Sequence, residues 1–128
     1  MKVKTNELTG SALDWAVAKC LGEDESETLD PLTWVYTAKP TGCWDFSTDP
    51  SQAHPIIERE RISTIPTVDG GWAAYVPDGT RWVPRSQDGV EIYNWAHKQT
   101  GPTPLIAAMR CYVASKLGDE IEVPEELV

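Results

Sequence analysis

Two carboxylates and two hydroxyls crowd into Asp45-Phe46-Ser47-Thr48-Asp49-Pro50, the densest mixed polar cluster in the chain. Short acceptors of this kind, just ahead of a helix, serve either to cap its free N–H groups or to reach a ligand, and spacing alone leaves both open. With Trp72 and Arg110, Ser47 and Asp49 make a candidate small-molecule site for a nucleotide or sugar. They would supply a ring to stack on, a carboxylate and hydroxyl for polar contacts, and a guanidinium for an anion. Arg110 could equally pair with an acid on a neighbouring element. Asp14, beside Trp15 in the opening helix, is a further carboxylate of interest.

Reaction chemistry finds little else to work with. His54 and His97 are the only histidines, and neither stands in a His-Glu-x-x-His or comparable ligand spacing. There is no Gly-x-Ser-x-Gly, Walker-type loop or Gly-x-Gly-x-x-Gly fingerprint. No metal, cofactor or catalytic residue is therefore expected, and the chain reads as a non-enzyme. Cys20, Cys43 and Cys111 leave an odd thiol under any pairing and form no Cys-x-x-Cys, which favours reduced, packed thiols. Cys111 next to Arg110 is read the same way, as packed rather than reactive.

The formal charge of −9 is unevenly placed. Ten of the twenty acids fall in two runs, Glu23, Asp24, Glu25, Glu27, Asp30 and Asp119, Glu120, Glu122, Glu125, Glu126. The remaining ten stand against eleven Lys and Arg, so the rest is close to neutral. Each run follows a helix C-terminus, where backbone carbonyls already make the field negative. The plain reading is a solvated loop, 23–30, and a solvated C-terminal tail, 119–128. The sharper readings are a docking surface for a basic protein, carried by Glu23, Asp24, Glu25 and Glu27, or an acidic mimic of nucleic acid. Direct nucleic-acid binding is disfavoured by the sign of the charge. No apolar run reaches membrane-spanning length, and the opening residues lack a secretion signal's apolar core, so the cytoplasm is expected.

The elements that must position these residues are best marked at the two ends. Thr103 and Pro104 open a helix and Gly118 closes it; Leu105, Ala108, Met109, Tyr112, Val113 and Leu117 form one apolar face. Ala107, Cys111, Ala114 and Gly118 make a small-residue stripe on the far side, so the helix is either sandwiched or faces a second subunit in a homodimer. Thr9 to Gly22 repeats the pattern, with Leu13, Ala16, Val17, Cys20 and Leu21 inward. Between them, Thr33–Thr37 reads as a strand. Ile62–Val68 and Trp72–Val76 form a hairpin across Asp69-Gly70-Gly71, and Pro66 marks an edge. A second turn at Pro77-Asp78-Gly79-Thr80 returns the chain through Arg81–Val83, and Val90–Tyr93 adds a strand. A short helix runs from Pro55 to about Arg61. Six tryptophans beside a single Phe imply that indoles fill much of the core. Trp82 and Trp95, flanked by Arg, His and Lys, are the candidates for exposure and protein contact. The expected fold class is α+β, one domain over 1–128, with helices packed on a small antiparallel sheet as a layered sandwich.

Several strings carry a resemblance. Leu8-Thr9-Gly10, Ala12-Leu13-Asp14-Trp15-Ala16-Val17-Ala18, Ser47-Thr48-Asp49, Pro55-Ile56-Ile57-Glu58-Arg59-Glu60 and Thr103-Pro104-Leu105-Ile106-Ala107-Ala108-Met109-Arg110, with Leu117-Gly118-Asp119-Glu120 and Val123-Pro124, resemble the phage NinX-like family over nearly the whole chain. The latter half is also similar to the phage alpha-beta-alpha sandwich domain. The resemblance implies a small protein of enteric phages or prophages with an α+β fold, acting in the host cytoplasm, and it brings no catalytic residue across. The reading that best fits these features is an accessory protein that binds a host or phage protein. A small-molecule binder is the alternative, and the nucleic-acid mimic the third.

Overall fold

The computed structural model describes residues 1–22, 44–84 and 89–127. The expected strand at 33–37, the acidic run at 23–30 and Cys43 lie outside them. Helix α1 spans Gly10–Cys20, α2 Pro50–Glu60 and α3 Pro104–Leu117; strands β2 (Ser63–Pro66), β3 (Trp72–Pro84) and β4 (Gly89–Gly101) form one antiparallel sheet, in the order β2-β3-β4. Strand β1 (Lys2–Lys4) pairs antiparallel with β5 (Glu120–Glu122) in a separate two-stranded ribbon. The α+β arrangement expected from sequence is the one found.

Helix α3 is the centre of the molecule. The Thr103 side chain accepts a hydrogen bond from the Ile106 N–H at 3.1 Å, Pro104 occupies the first turn, and Gly118 ends the helix at φ 93°. Ala107 to Ala114 are all buried, so the helix has no solvated side over two turns. This answers the question left by its two stripes. The sheet lies against one side and α1 against the other, with Leu8, Leu13, Val17, Met109, Tyr112 and Val113 at the heart of the core. Small residues make the close contact with the sheet possible: a Cβ on Gly101 would come 2.9 Å from the Ala107 nitrogen. Aliphatic side chains and alanines do most of the filling, joined by Trp15, Phe46 and Tyr112. Among the described residues the expectation of an indole-filled core is met by Trp15 alone in full, with Trp44 and Trp72 packed at its edge. Trp44 and Trp72 are half-buried, while Trp82 and Trp95 are exposed.

Three further expectations change. Helix α2 begins at Pro50, not Pro55. Asp49 caps it by accepting from the Ser51 N–H at 2.9 Å, and Pro50 takes the first-turn position that costs no hydrogen bond. Pro55 then sits mid-helix on the exposed side, where water can satisfy the carbonyl its ring leaves without a donor. The second correction concerns Pro77-Asp78-Gly79-Thr80, which is no turn. Strand β3 runs straight through it, and the register with β4 shifts between Pro77 and Thr80, Gly79 taking φ 82°. A β-bulge and a turn need the same residues locally, and the long pairing with β4 decides for the bulge. Thirdly, the segment read as a tail is built into the fold. Ile121, Val123 and Leu127 are buried, β5 pairs with β1, and the Met1 ammonium donates to the Val123 carbonyl at 2.9 Å. Its acids still face solvent: Asp119, Glu120, Glu122 and Glu125 are all exposed.

Candidate functional site

Ser47, Asp49, Trp72 and Arg110 do not meet. Ser47 is buried against α1, its N–H donating to the Asp14 Oδ1 at 2.8 Å. Asp49 is engaged as the cap of α2 and also accepts from the Ser51 hydroxyl at 2.7 Å. Arg110 is only 7% exposed and, among the described residues, makes no salt bridge. Its Nε donates to the Leu8 carbonyl at 2.8 Å and its Nη1 to the Thr100 carbonyl at 2.7 Å, tying the chain before α1 to the end of β4. Trp72 lines an open depression of about 420 Å³ with Thr67, Asp69, Gly71, Thr100 and Pro102, and none of the other three residues borders it. Ser47, Asp49 and Arg110 each have a local structural task.

Burial also sets the ionisation of the reactive groups. It pushes the Cys111 thiol up to about 12, and the Cys20 thiol equally far against the opposing pull of Lys116, so both are protonated thiols at neutral pH. It lowers the Arg110 pKa, with Glu7 acting in the other direction. Asp14, 5% exposed, is raised by burial to about 6; the Ser47 backbone and hydroxyl hydrogen bonds oppose that rise, and Asp45 adds to it. Burial works against the Glu60 charge too, but Lys116 at 3.0 Å and Arg59 at 3.2 Å outweigh it and hold that carboxyl below its ordinary range. Among the described residues, no three His, Cys, Asp or Glu side chains come together in a way that could hold a metal ion. None of the described helices is long and apolar enough to cross a membrane.

The surface that stands out is the far face of the β3–β4 ribbon. Ala74, Val76 and Gln99 are buried on the α3 side, and Gly101, cross-strand partner of Trp72, meets α3 there as well. Strand alternation turns the residues between them outward. Ile65, Tyr75 and Trp95 lie on that outer face. The pairs Pro77↔Trp95, Thr80↔Tyr93 and Trp82↔Glu91 carry the same face past the bulge to Trp82. Ile65 is 47% exposed, Trp95 48% and Trp82 64%. Ser63, Ile65, Tyr75 and Trp95 together line an apolar hollow of about 380 Å³. Near the other end, Trp82 lies over Gly89, where a Cβ would overlap the indole atoms Cε2, Cζ2 and Nε1. Only glycine leaves room for the ring at that point of the neighbouring strand.

Among the described residues, the supports of the ribbon end early. Strand β2 pairs with β3 only as far as Tyr75, and the last turn of α3, at Ser115 and Lys116, lies beside Val76, Asp78 and His97. Beyond that point the ribbon continues, among the described residues, as two strands, with Thr80, Pro84 and Asn94 exposed and Ile92 38% exposed. His97 takes φ 56° where β4 adjusts its register, a left-handed conformation that a β-strand residue rarely adopts. The segment from Trp72 to Gly101 carries three acids, Asp78, Asp88 and Glu91, and three bases, Arg81, Arg85 and Lys98, so it is electrically neutral within a chain of −9.

A family model described as Bacteriophage P22, NinX matches residues 4–116. The chain belongs to that family. The NinX match runs from β1 through nearly all of α3, so it takes in the helical core and the whole ribbon. No curated protein matches the chain.

Of the residues singled out for protein contact, Trp82 and Trp95 are brought onto one face, while Glu23, Asp24, Glu25 and Glu27 lie outside the described residues. Ile65 and Tyr75 complete the hollow and went unnoticed in the sequence. Their alternation with Thr64 and Ala74 was a signal for one face of a hairpin, but Ile65 and Ala74 have equal claims to be inward until the position of α3 is known.

Proposed function

We propose that this NinX-family protein is a non-enzymatic phage accessory protein that works in the bacterial cytoplasm by binding a host or phage protein, using the outer face of the ribbon. The observation that carries the reading is a sheet closed on one side by α3 whose other side, among the described residues, leaves Ile65, Trp82 and Trp95 exposed to solvent. A contiguous apolar face on an otherwise acidic protein is the usual mark of a contact surface, and tryptophans dominate the energetics of such contacts. Substituting two exposed side chains leaves the core intact, so recognition can be separated from folding. Tagged protein should capture a partner from phage-infected lysate, and the Trp82→Ala, Trp95→Ala double variant should lose it while keeping the wild-type circular dichroism spectrum. A partner retained equally by the double variant would refute this surface as the site.

A further inference from the structure

We infer that the cleft between the β1–β5 ribbon and the end of β4 binds a zwitterion of the α-amino-acid class, held by Gln99, by Lys4 and Lys98, and by Asp119 and Glu120. The cleft borders none of Ile65, Tyr75, Trp82 and Trp95, so the inference goes beyond the protein-contact reading and stands or falls without it. It starts from an orphaned atom. Gln99 is 7% exposed, and among the described residues its Oε1 is shut off from solvent with no hydrogen-bond partner. A buried carbonyl oxygen in that position forfeits the bonds it makes with water in the unfolded chain, and folded proteins seldom tolerate this without a reason. The next residue shows how closely this corner is otherwise matched. The Thr100 N–H donates to the Asn6 Oδ1 at 2.8 Å, the Asn6 Nδ2 to the Thr100 Oγ1 at 3.2 Å, and the Thr100 carbonyl accepts from Arg110 at 2.7 Å.

The cleft that Gln99 borders measures about 380 Å³, within the ~300–1,000 Å³ of small-molecule sites. Lys4, Asp119 and Glu120 form one wall, Lys98, Gln99 and Thr100 the other, and Asn6 joins the two. Both walls are held in place: beside Lys4, the Thr5 hydroxyl donates to the Gly118 carbonyl at 2.6 Å and the Thr5 N–H to the Asp119 carbonyl at 2.7 Å. Two ammoniums and two carboxylates therefore rim one cleft. Among the described residues none of the four makes an ion pair, although Lys4 and Glu120 are direct cross-strand partners.

This set of groups selects its ligand. A simple anion would meet Asp119 and Glu120, and a simple cation Lys4 and Lys98, in each case like charges that oppose binding. A sugar would find no aromatic ring among these residues to lie on. A zwitterion answers both signs. Its carboxylate takes the lysines, its ammonium takes the acids, and one of the ammonium's N–H groups is left for the Gln99 oxygen. The terminal torsion of a glutamine is broad, so rotation of the amide turns that oxygen into the cleft.

Titration of the isotope-labelled full chain with each of the standard free amino acids should give saturable movement of the Lys98, Gln99, Thr100 and Glu120 amide resonances with at least one of them, at micromolar to millimolar concentration. The methyl ester and the N-acetyl form of that amino acid, and inorganic phosphate, each lack one of the two charges and should bind at least tenfold more weakly. Gln99→Leu should cost at least tenfold too, because the bond it removes is to an ammonium. Leucine also removes the orphaned oxygen, so the variant without amino acid should melt no lower than wild type. With the amino acid added, wild type alone should gain melting temperature in step with saturation. Lys98→Gln, on the exposed rim, should lose affinity at least tenfold with the circular dichroism spectrum unchanged. The proposal is overturned if no amino acid moves these resonances at millimolar concentration, or if the ester, the N-acetyl form or phosphate binds as tightly as the free amino acid. Unchanged affinity in both variants would overturn it as well, and so would a Gln99→Leu chain that melts well below wild type, since the oxygen would then be serving the fold.

Discussion

Replacing Asp14 by asparagine should stabilise the fold at neutral pH and leave it nearly unchanged in acid. Asp14 is buried, its pKa stands at about 6 against an ordinary 3.8, and it accepts hydrogen bonds from Ser47, a residue thirty-three positions away that anchors the entry to α2. At 1.36 kcal/mol for each tenfold change in proton affinity, this rise corresponds to about 3 kcal/mol of disfavoured ionisation. The sign follows from which state ionises first. Below about pH 4 the carboxyl is protonated in both states, and the folded state bears no penalty. From there to about pH 6 the unfolded chain ionises while the folded one holds its proton, so stability falls as pH rises; above about 6 the loss is complete and constant. Asparagine keeps a carbonyl to accept from the Ser47 N–H and has no charge to bury. Urea unfolding of wild type and Asp14→Asn, followed by tryptophan fluorescence across this range, isolates the residue because the other carboxylates cancel in the difference. The variant should gain progressively from about pH 4 to about pH 6, up to about 3 kcal/mol. A difference that does not change with pH, or one that favours wild type more at neutral pH than in acid, would refute the reasoning. Asp14→Ala is the control: it leaves the buried Ser47 N–H without its acceptor and should destabilise by about 1–3 kcal/mol even in acid.

Gly101→Ala should destabilise by about 1–3 kcal/mol in chemical unfolding, because the new methyl meets the Ala107 backbone and neither β4 nor α3 has room to withdraw. Arg110→Lys keeps the charge but replaces a planar fork with a single ammonium, which cannot meet the Leu8 and Thr100 carbonyls in the same geometry; a loss of about 1–3 kcal/mol is expected, read as a lower urea midpoint with unchanged slope. Removing residues 119–128 takes away the buried Ile121, Val123 and Leu127 and leaves β1 without a partner. At roughly 1.5–3 kcal/mol for each side chain the loss rivals a small domain's whole stability, so the truncated chain should show no cooperative thermal transition. Gly89→Ala should lift the Trp82 ring off its neighbour, seen as loss of the ring-current shift at residue 89 in proton spectra.

The helices and the first hairpin were legible because their signals are local. Thr103, Pro104 and Gly118 mark the ends of α3 within a turn of their effect, and Pro66 marks an edge because its missing N–H does so wherever it stands. Elements that depend on distant partners were harder to read. Strands of three residues, β1 and β5, are too short for a period to show, and each exists only because the other does. The stretch at Pro77–Thr80 has turn composition, and only the ten-pair ladder between β3 and β4 reveals a bulge. The candidate site divides in the same way. Trp82 and Trp95 were conspicuous beside charged neighbours, whereas the hollow needed Ser63, Tyr75 and Trp95 from three strands. Ser47, Asp49 and Arg110 looked like ligand groups because residues that cap helices and tie loops are the same types that bind small molecules.

Val3 finds its partner only when Ile121 arrives, and Thr5 is held by the Gly118 and Asp119 carbonyls. On the ribosome β1 must therefore wait, unmatched, until residues 118–122 have been made. A layer that joins residues 113 positions apart closes late, and it is the one most sensitive to anything that delays or clips the segment 118–127.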